Sequence, residues 1–179
     1  MEIDVFQGDI CDAPAEIICT STNPHLNLTI RTGGAVNARG GGATVQAEAH
    51  AAIRAIRGEA GPRYLPAGSA VRTGAGALPF RAVIHCVAID AFHDSSEEII
   101  AACIRSALER VREMSPPATS LALPVLATGG GKFNFDAALA VIVRELSAGA
   151  PESLNRVLIV TPDAGMAEGI EQYLNNLDK

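Results

Sequence analysis

Tryptophan is absent from this sequence, and aromatic residues make up only 4% of it. Alanine, valine, leucine and isoleucine must therefore fill the interior. An excess of basic residues is missing too: 14 Lys and Arg against 20 Asp and Glu leave a net charge of −6. That balance argues against strong general capture of nucleic acid or an anionic membrane, although a local positive pocket stays compatible with it. Cysteine is sparse, and Cys11, Cys19, Cys86 and Cys103 contain no CxxC pair. A disulfide framework or zinc site is not expected, and reduced core thiols in a cytoplasmic protein are. No apolar run approaches a membrane span, and MEIDVFQGDI lacks the basic-then-apolar pattern of a secretory signal.

Several catalytic signatures are missing as well. The histidines, His25, His50, His85 and His93, show no HxxxH or clustered ligand spacing, so no metal site is expected. No G-x-S-x-G elbow occurs. His85 and Cys86 adjoin within a strand-like run, so their side chains point to opposite faces and cannot form a dyad. His85 reads as a strand histidine with a hydrogen-bond partner, and His25 and His93 as loop residues.

Almost half of the 179 residues are apolar, enough for a sizeable core and consistent with one domain over residues 1–179. Strands are expected at Glu2–Gln7, Glu16–Thr20, Ser69–Thr73, Ala82–Ile89, Ser120–Leu126 and Arg156–Val160. AVIHCVAI, within Ala82–Ile89, is apolar nearly throughout, as a strand covered on both faces should be. A helix is expected over Ala43–Arg57, with Val45, Ala49, Ala52, Ile53 and Ile56 on one side. Ser95 and Glu98 have the spacing of a capping box, and the helix behind them must end before Pro116-Pro117. Further helices are expected over Ala137–Ala148 and Met166–Asn175, the latter capped by Asp163. Strands alternating with helices predict a three-layer α/β/α sandwich around a mixed, largely parallel sheet of about six strands.

Two glycine-rich stretches interrupt this pattern: TGGAVNARGGG over Thr32–Gly42 and ATGGGKF over Ala127–Phe133. Ligands of such folds sit beyond the carboxyl ends of the strands. Bare main chain there, followed by a helix start, suits an anion such as phosphate. The alternatives are weaker. Gly131-Lys132 is followed by Phe133 and preceded five places earlier by Leu126, so a P-loop fails twice. The first strand leads into Gln7-Gly8-Asp9 rather than GxGxxG, and Gly74-Ala75-Gly76 is a lone GxG.

Four pieces in order resemble a macro domain, the ADP-ribose-binding module. They are QGDI at Gln7–Ile10, AEIICTSTNPHLNL at Ala15–Leu28, SAVRTGAGALPFRAVIHCVA at Ser69–Ala88, and LALPVLATGGGKF at Leu121–Phe133. The resemblance implies that ADP-ribose, free or carried by a macromolecule, binds in a crevice at the strand ends, with no cofactor. It implies that the Asp9 carboxylate accepts from the adenine amino group and that the Ile10 N–H meets the ring. It implies that Asn23 contacts the distal ribose and orients substrate in hydrolytic members. It places the phosphates on Thr128, Gly129, Gly130, Gly131 and Lys132, with Phe133 beside the distal ribose. Gly-Asp and Asn-Pro are also ordinary turn chemistry, so Asp9 and Asn23 each have a plain structural alternative.

The chain departs from the family at three places. Thr20 replaces the first asparagine of the N-A-A-N stretch. No aromatic follows the last strand, where Val160-Thr161-Pro162-Asp163 stands. The first phosphate loop admits two registers. In one, Gly33-Gly34-Ala35-Val36 is the loop; in the other, a helix begins at Gly34 and Thr29–Gly33 must serve. We take the first, because bare main chain suits an anion better than β-branched side chains do. The catalytic aspartate of the hydrolytic subclass then corresponds to Asn37, or to Gly33 in the other register. Neither is a useful base. Binding of ADP-ribose is therefore expected first, with an ADP-ribosyl hydrolase, an ADP-ribose ester deacetylase or a degenerate scaffold as alternatives.

Overall fold

A computed structural model describes residues 1–129 and 131–177. Its centre is a sheet in the order β1-β6-β5-β2-β4-β3, formed by β1 (Glu2–Gln7), β2 (Ile17–Thr22), β3 (Ala70–Thr73), β4 (Ala82–Val87), β5 (Ser120–Pro124) and β6 (Arg156–Thr161). Neighbouring strands run parallel except β3, which pairs antiparallel with β4. The helices among the described residues are α1 (Arg31–Arg39), α2 (Ala43–Arg57), α3 (Glu97–Arg112), α4 (Phe135–Gly149) and α5 (Ala164–Leu177). The sheet separates two apolar layers. Ile17, Cys19, Ile84 and Cys86 face α3, α4 and Ile170 of α5, whereas Ile18, Val83 and Val87 face Val36 of α1 and Val45, Ala49 and Ile53 of α2. This alternation is the period-2 pleat of strands covered on both sides. The three-layer mixed sandwich expected from the sequence is the observed fold.

Several boundaries moved for identifiable reasons. β5 stops at Pro124, two residues before the expected Leu126, because proline has no N–H for the ladder. β4 likewise ends at Val87 rather than Ile89. Helix α4 starts at Phe135, because the Asn134 side chain accepts from the Ala137 N–H at 2.9 Å. Asp163 does cap the last helix, accepting from the Met166 N–H at 2.8 Å. The capping box is displaced by one residue: Ser96 accepts from Ile99 N–H, while Ser95 Oγ donates to the Ala88 carbonyl at 2.7 Å. Ser96→Ala should therefore lower the unfolding free energy by about 1 kcal/mol, read as a shift in denaturant midpoint. Ile56 leaves the expected stripe of α2 and is 59% exposed.

Helix α1 is the largest departure. Gly33-Gly34-Ala35-Val36 is not a loop; all four residues lie inside α1. Its glycines serve close approach instead. A Cβ on Gly33 would come 3.3 Å from Leu28 Cδ2, and one on Gly34 3.1 Å from the Thr29 carbonyl oxygen. Both glycines thus let the helix pack onto the segment that precedes it. The other register, with a helix from Gly34 and Thr29–Gly33 as the loop, is not matched in full either, because α1 already begins at Arg31.

Candidate ligand-binding crevice

β2 and β5 pair only at Ile17–Ile18 with Leu121–Ala122, near their amino ends. Beyond that point Pro124 offers no ladder donor, and the Ala127 N–H reaches the Ser21 hydroxyl at 3.3 Å. The two chains part there, and a cavity of about 590 Å³ opens at the carboxyl end of the sheet. That volume lies within the range of small-molecule sites. The segments after β1, β2, β4, β5 and β6 all contribute to its wall.

At the β1 and β6 end stand Gly8, Asp9, Ile10, Val160, Thr161, Pro162, Asp163 and Met166. Asp9 caps the short 3-10 helix Ile10–Asp12, its Oδ1 accepting from the Cys11 N–H at 2.8 Å. The turn chemistry and the crevice position therefore coexist in one residue. Arg39, at the end of α1, forms a forked pair with Asp12 at 2.6 and 3.1 Å and stands 3.7 Å from Asp9 Oδ1. The guanidinium hydrogen bonds hold the Asp12 carboxyl below the ordinary carboxylate range. Burial, reinforced by the Asp9 charge, pushes the Cys11 thiol up to about 12. It is a neutral packing group. Neither the Asp9 nor the Ile10 N–H has a protein partner among the described residues. Pro162 and Met166 supply apolar surface where an aromatic was absent from the sequence.

At the β2 and β5 end stand Thr22, Asn23, Asn27, Ile30, Arg31, Thr32, Ala35, Thr128, Gly129 and Gly131. The loop after β5 turns sharply, with Ala127 at φ +64° and Lys132 at φ +49°, and closes where the Phe133 N–H donates to the Ala127 carbonyl at 3.2 Å. Inside that ring, the N–H groups of Thr128, Gly129 and Gly131 have no protein partner among the described residues. Gly130, also expected here, lies outside the described residues. A Cβ on Gly131 would sit 2.8 Å from the Ala127 carbonyl and 2.7 Å from Ile89 Cγ2, so the tight ring requires glycine at this position. Three of the five non-glycine residues with positive φ, namely Arg31, His93 and Ala127, line the cavity. Such backbone is costly and collects at functional sites. The Thr22 hydroxyl, also in the wall, is buried without a hydrogen-bond partner among the described residues.

The structure thus brings together Asp9, Ile10, Asn23, Ala35, Thr128, Gly129 and Gly131. It does not bring in Gly33, Gly34 or Val36, which are part of α1, nor Lys132, which is exposed. Phe133 packs against the core, and the aromatic in the wall is Phe135, two residues later. The Asn134 cap explains this, because it starts the helix at Phe135. Asn37 is outside the wall, its Oδ1 buried without a partner among the described residues. Asn23 uses its Oδ1 on its own loop, accepting from the N–H of His25 at 3.0 Å and of Asn27 at 3.3 Å. That leaves only its amide nitrogen for a ligand. Arg31, Thr22, His93 and Met166 were not read as site residues. The second register pointed to the neighbourhood of Arg31; no local signal marked the others.

The chain is thus an α/β/α sandwich with a crevice at the carboxyl ends of its strands, lined in part by unpaired amides. The macro domain profile matches residues 20–142. A macro domain-containing protein of Streptomyces griseus is 29% identical over 96% of this chain and 94% of its own length. A protein of Aquifex aeolicus is 32% identical over 97% and 98%, respectively. Among solved structures, a mutant Oceanobacillus iheyensis macrodomain with ADPR superposes with a TM-score of 0.78 at 24% identity, covering 97% of this chain and 92% of that one. A Trypanosoma brucei macrodomain in complex with ADP-ribose gives 0.78 at 16% identity, covering 96% and 68%. The chain belongs to the macro domain family. No helix among the described residues is long and apolar enough to cross a membrane.

Proposed function

We propose that this protein binds ADP-ribose, free or attached to a macromolecule, in the crevice at the carboxyl ends of β1, β6, β5 and β2. The observation that carries the reading is the set of N–H groups without a protein partner among the described residues on Thr128, Gly129 and Gly131, residues that line one cavity with Asp9. Unpaired main-chain donors suit a diphosphate. A carboxylate accepts from the adenine amino group, and the Ile10 N–H donates to the ring. β1 and β2 are three inter-strand steps apart, roughly 14 Å, room for an extended nucleotide.

Binding without turnover is the reading we favour. The carboxylates in the wall, Asp9 and Asp163, both lie at the β1 and β6 end. The two positions that correspond to the family's catalytic aspartate are Gly33, inside α1, and Asn37, outside the wall. Calorimetry with ADP-ribose should give a saturable 1:1 isotherm. At 100-fold excess over Kd, binding adds about 2.7 kcal/mol of stability, a rise in Tm of roughly 5–10 °C. No heat and no thermal shift would reject the proposal. Steady release of ADP-ribose from a modified protein would instead establish a hydrolase.

A further inference from the structure

We propose that Arg31 is a phosphate clamp, whose guanidinium adds charge and side-chain donors to the main-chain amides that line the crevice. The inference rests on the reading of the crevice as an ADP-ribose site. Part of the first loop's backbone is already engaged. Leu26 N–H donates to the Asn23 carbonyl, Asn27 N–H to Asn23 Oδ1, and Leu28 N–H to Gln46 Oε1 at 2.7 Å. Gly34 N–H donates to the Ile30 carbonyl at 2.9 Å. These four amides are engaged within the protein, whereas the N–H groups of Thr29 to Gly33 have no protein partner among the described residues.

Arg31 stands where the two loops meet. A Cβ on Gly129 would lie 2.5 Å from both Cδ and Nε of Arg31 and 3.0 Å from Cζ. The end of the arginine side chain is therefore laid against the main chain of the second loop at Gly129. Arg31 is the one Lys or Arg in the cavity wall among the described residues. Arg39, Arg81, Arg105 and Arg156 each pair with a carboxylate; Arg31 pairs with none among the described residues. An unneutralised guanidinium beside unpaired amides, on a chain of net charge −6, is a local attractor for a dianion. Its planar fork suits two phosphate oxygens at once.

The backbone points the same way. Arg31 holds φ +50°, a left-handed conformation that glycine adopts without strain and arginine does not. A residue chosen for turning the chain alone would be glycine. Arginine at this position keeps a side chain where the turn itself gains nothing from one. In this chain, phosphate recognition thus combines one guanidinium on the β2 side with unpaired amides on both sides of the gap.

Arg31→Gly is the informative variant, because it relaxes the backbone while deleting the guanidinium. ADP-ribose affinity, measured by calorimetry, should fall about tenfold or more in Arg31→Gly and in Arg31→Gln, as loss of a charged hydrogen-bonding group requires. The slope of log affinity against log salt should flatten in both variants. The unliganded Tm of Arg31→Gly should stay level or rise, which separates lost binding from lost folding. Affinity within about twofold of the unaltered chain, with the same salt slope, overturns the clamp. Inorganic pyrophosphate serves as a second probe. If the unaltered chain ignores ADP-ribose, the functional reading falls, and pyrophosphate decides the clamp: binding abolished by Arg31→Gly upholds it, and equal binding overturns it. If the unaltered chain binds neither probe, both readings fall.

Discussion

Replacing Asp9 by alanine should weaken ADP-ribose binding by about 1–3 kcal/mol, roughly 5- to 150-fold in Kd. Two effects contribute. The adenine amino group loses a charged acceptor at the β1 end of the crevice. The Cys11 N–H also loses its 2.8 Å cap, so the 3-10 helix that presents the Ile10 N–H loosens. Asp9→Asn separates the two, because a carboxamide oxygen can still accept from Cys11 N–H while the charge is gone. The asparagine variant should retain the turn and the Tm yet bind ADP-ribose more weakly. A ligand carrying hypoxanthine, which has no amino group at that position, should bind the unaltered chain and the alanine variant with a smaller difference. A double-mutant-style cycle over residue and base isolates the contact. Equal affinity of all three chains for ADP-ribose would falsify the adenine assignment and leave Asp9 as a turn residue.

The second large effect concerns stability. His85 is fully buried on the α1 and α2 side of the sheet, between two threonines. Thr73 Oγ1 donates its single proton to the Gly74 carbonyl at 2.8 Å, so it must accept from His85 Nε2, 2.9 Å away. His85 Nδ1 is then the acceptor for the Thr20 hydroxyl at 2.9 Å. The ring is a neutral tautomer with both nitrogens satisfied, and protonation would leave Nδ1–H facing a hydroxyl in an apolar layer. Burial holds its pKa down at about 4, against an ordinary value of 6.5. The unfolded chain therefore takes up a proton as the pH falls below about 6.5, whereas the folded chain resists until about 4. Stability present above pH 6.5 is lost across that window, by about 3 kcal/mol in all. Urea midpoints should fall between pH 7 and pH 5, above the range in which carboxylates dominate. In His85→Gln, which remains neutral, the slope in that interval should be much reduced at whatever stability the variant retains. A slope unchanged by the substitution would place the titration elsewhere.

The same histidine gives meaning to a departure from the family pattern. Thr20, standing where an asparagine was expected from the resemblance, faces away from the crevice and into the core. Its hydroxyl donates to His85 Nδ1 at 2.9 Å instead of contacting a ligand. The thiols of Cys19, Cys86 and Cys103 lie on the other face of the sheet, among the apolar side chains of α3 and α4. Hydrogen bonding with the Cys86 sulfur, and then burial, hold Cys19 and Cys103 well above the ordinary thiol range, so they behave as packing groups. The adjacency of His85 and Cys86 carries no chemistry, because the pleat sends one residue to each layer.

Legibility from sequence followed the strength of local periodicity. AVIHCVAI could be read as a doubly covered strand because every residue in it except His85 is apolar. Ala43–Arg57 could be read as a helix because Val45, Ala49 and Ile53 recur at helical spacing, and its observed bounds are the expected ones. Helix α1 was illegible for the opposite reason. Its Arg-Thr-Gly-Gly start combines a positive φ, a β-branched residue and two poor helix formers, so intrinsic propensity opposes it. Burial of Val36 and the close seat of Gly33 on Leu28 override that propensity. The expected glycine loop was thus real as composition and misassigned as structure.

Local chemistry written in the chain was enough to determine the layered α/β/α class, the crevice at the strand ends, the turn at Asp9 and the glycine ring after β5. These depend on hydrophobic period, turn residues and bare main chain, all of which act over a few neighbours. The tertiary structure alone decided that α1 swallows the first glycine pair, that Phe135 rather than Phe133 lines the cavity, and that Arg31 meets Gly129. The last of these depends on which loops face each other across the gap between β2 and β5, about a hundred residues apart in sequence. No local pattern encodes a contact of that separation; only packing of the two layers on the sheet brings it about.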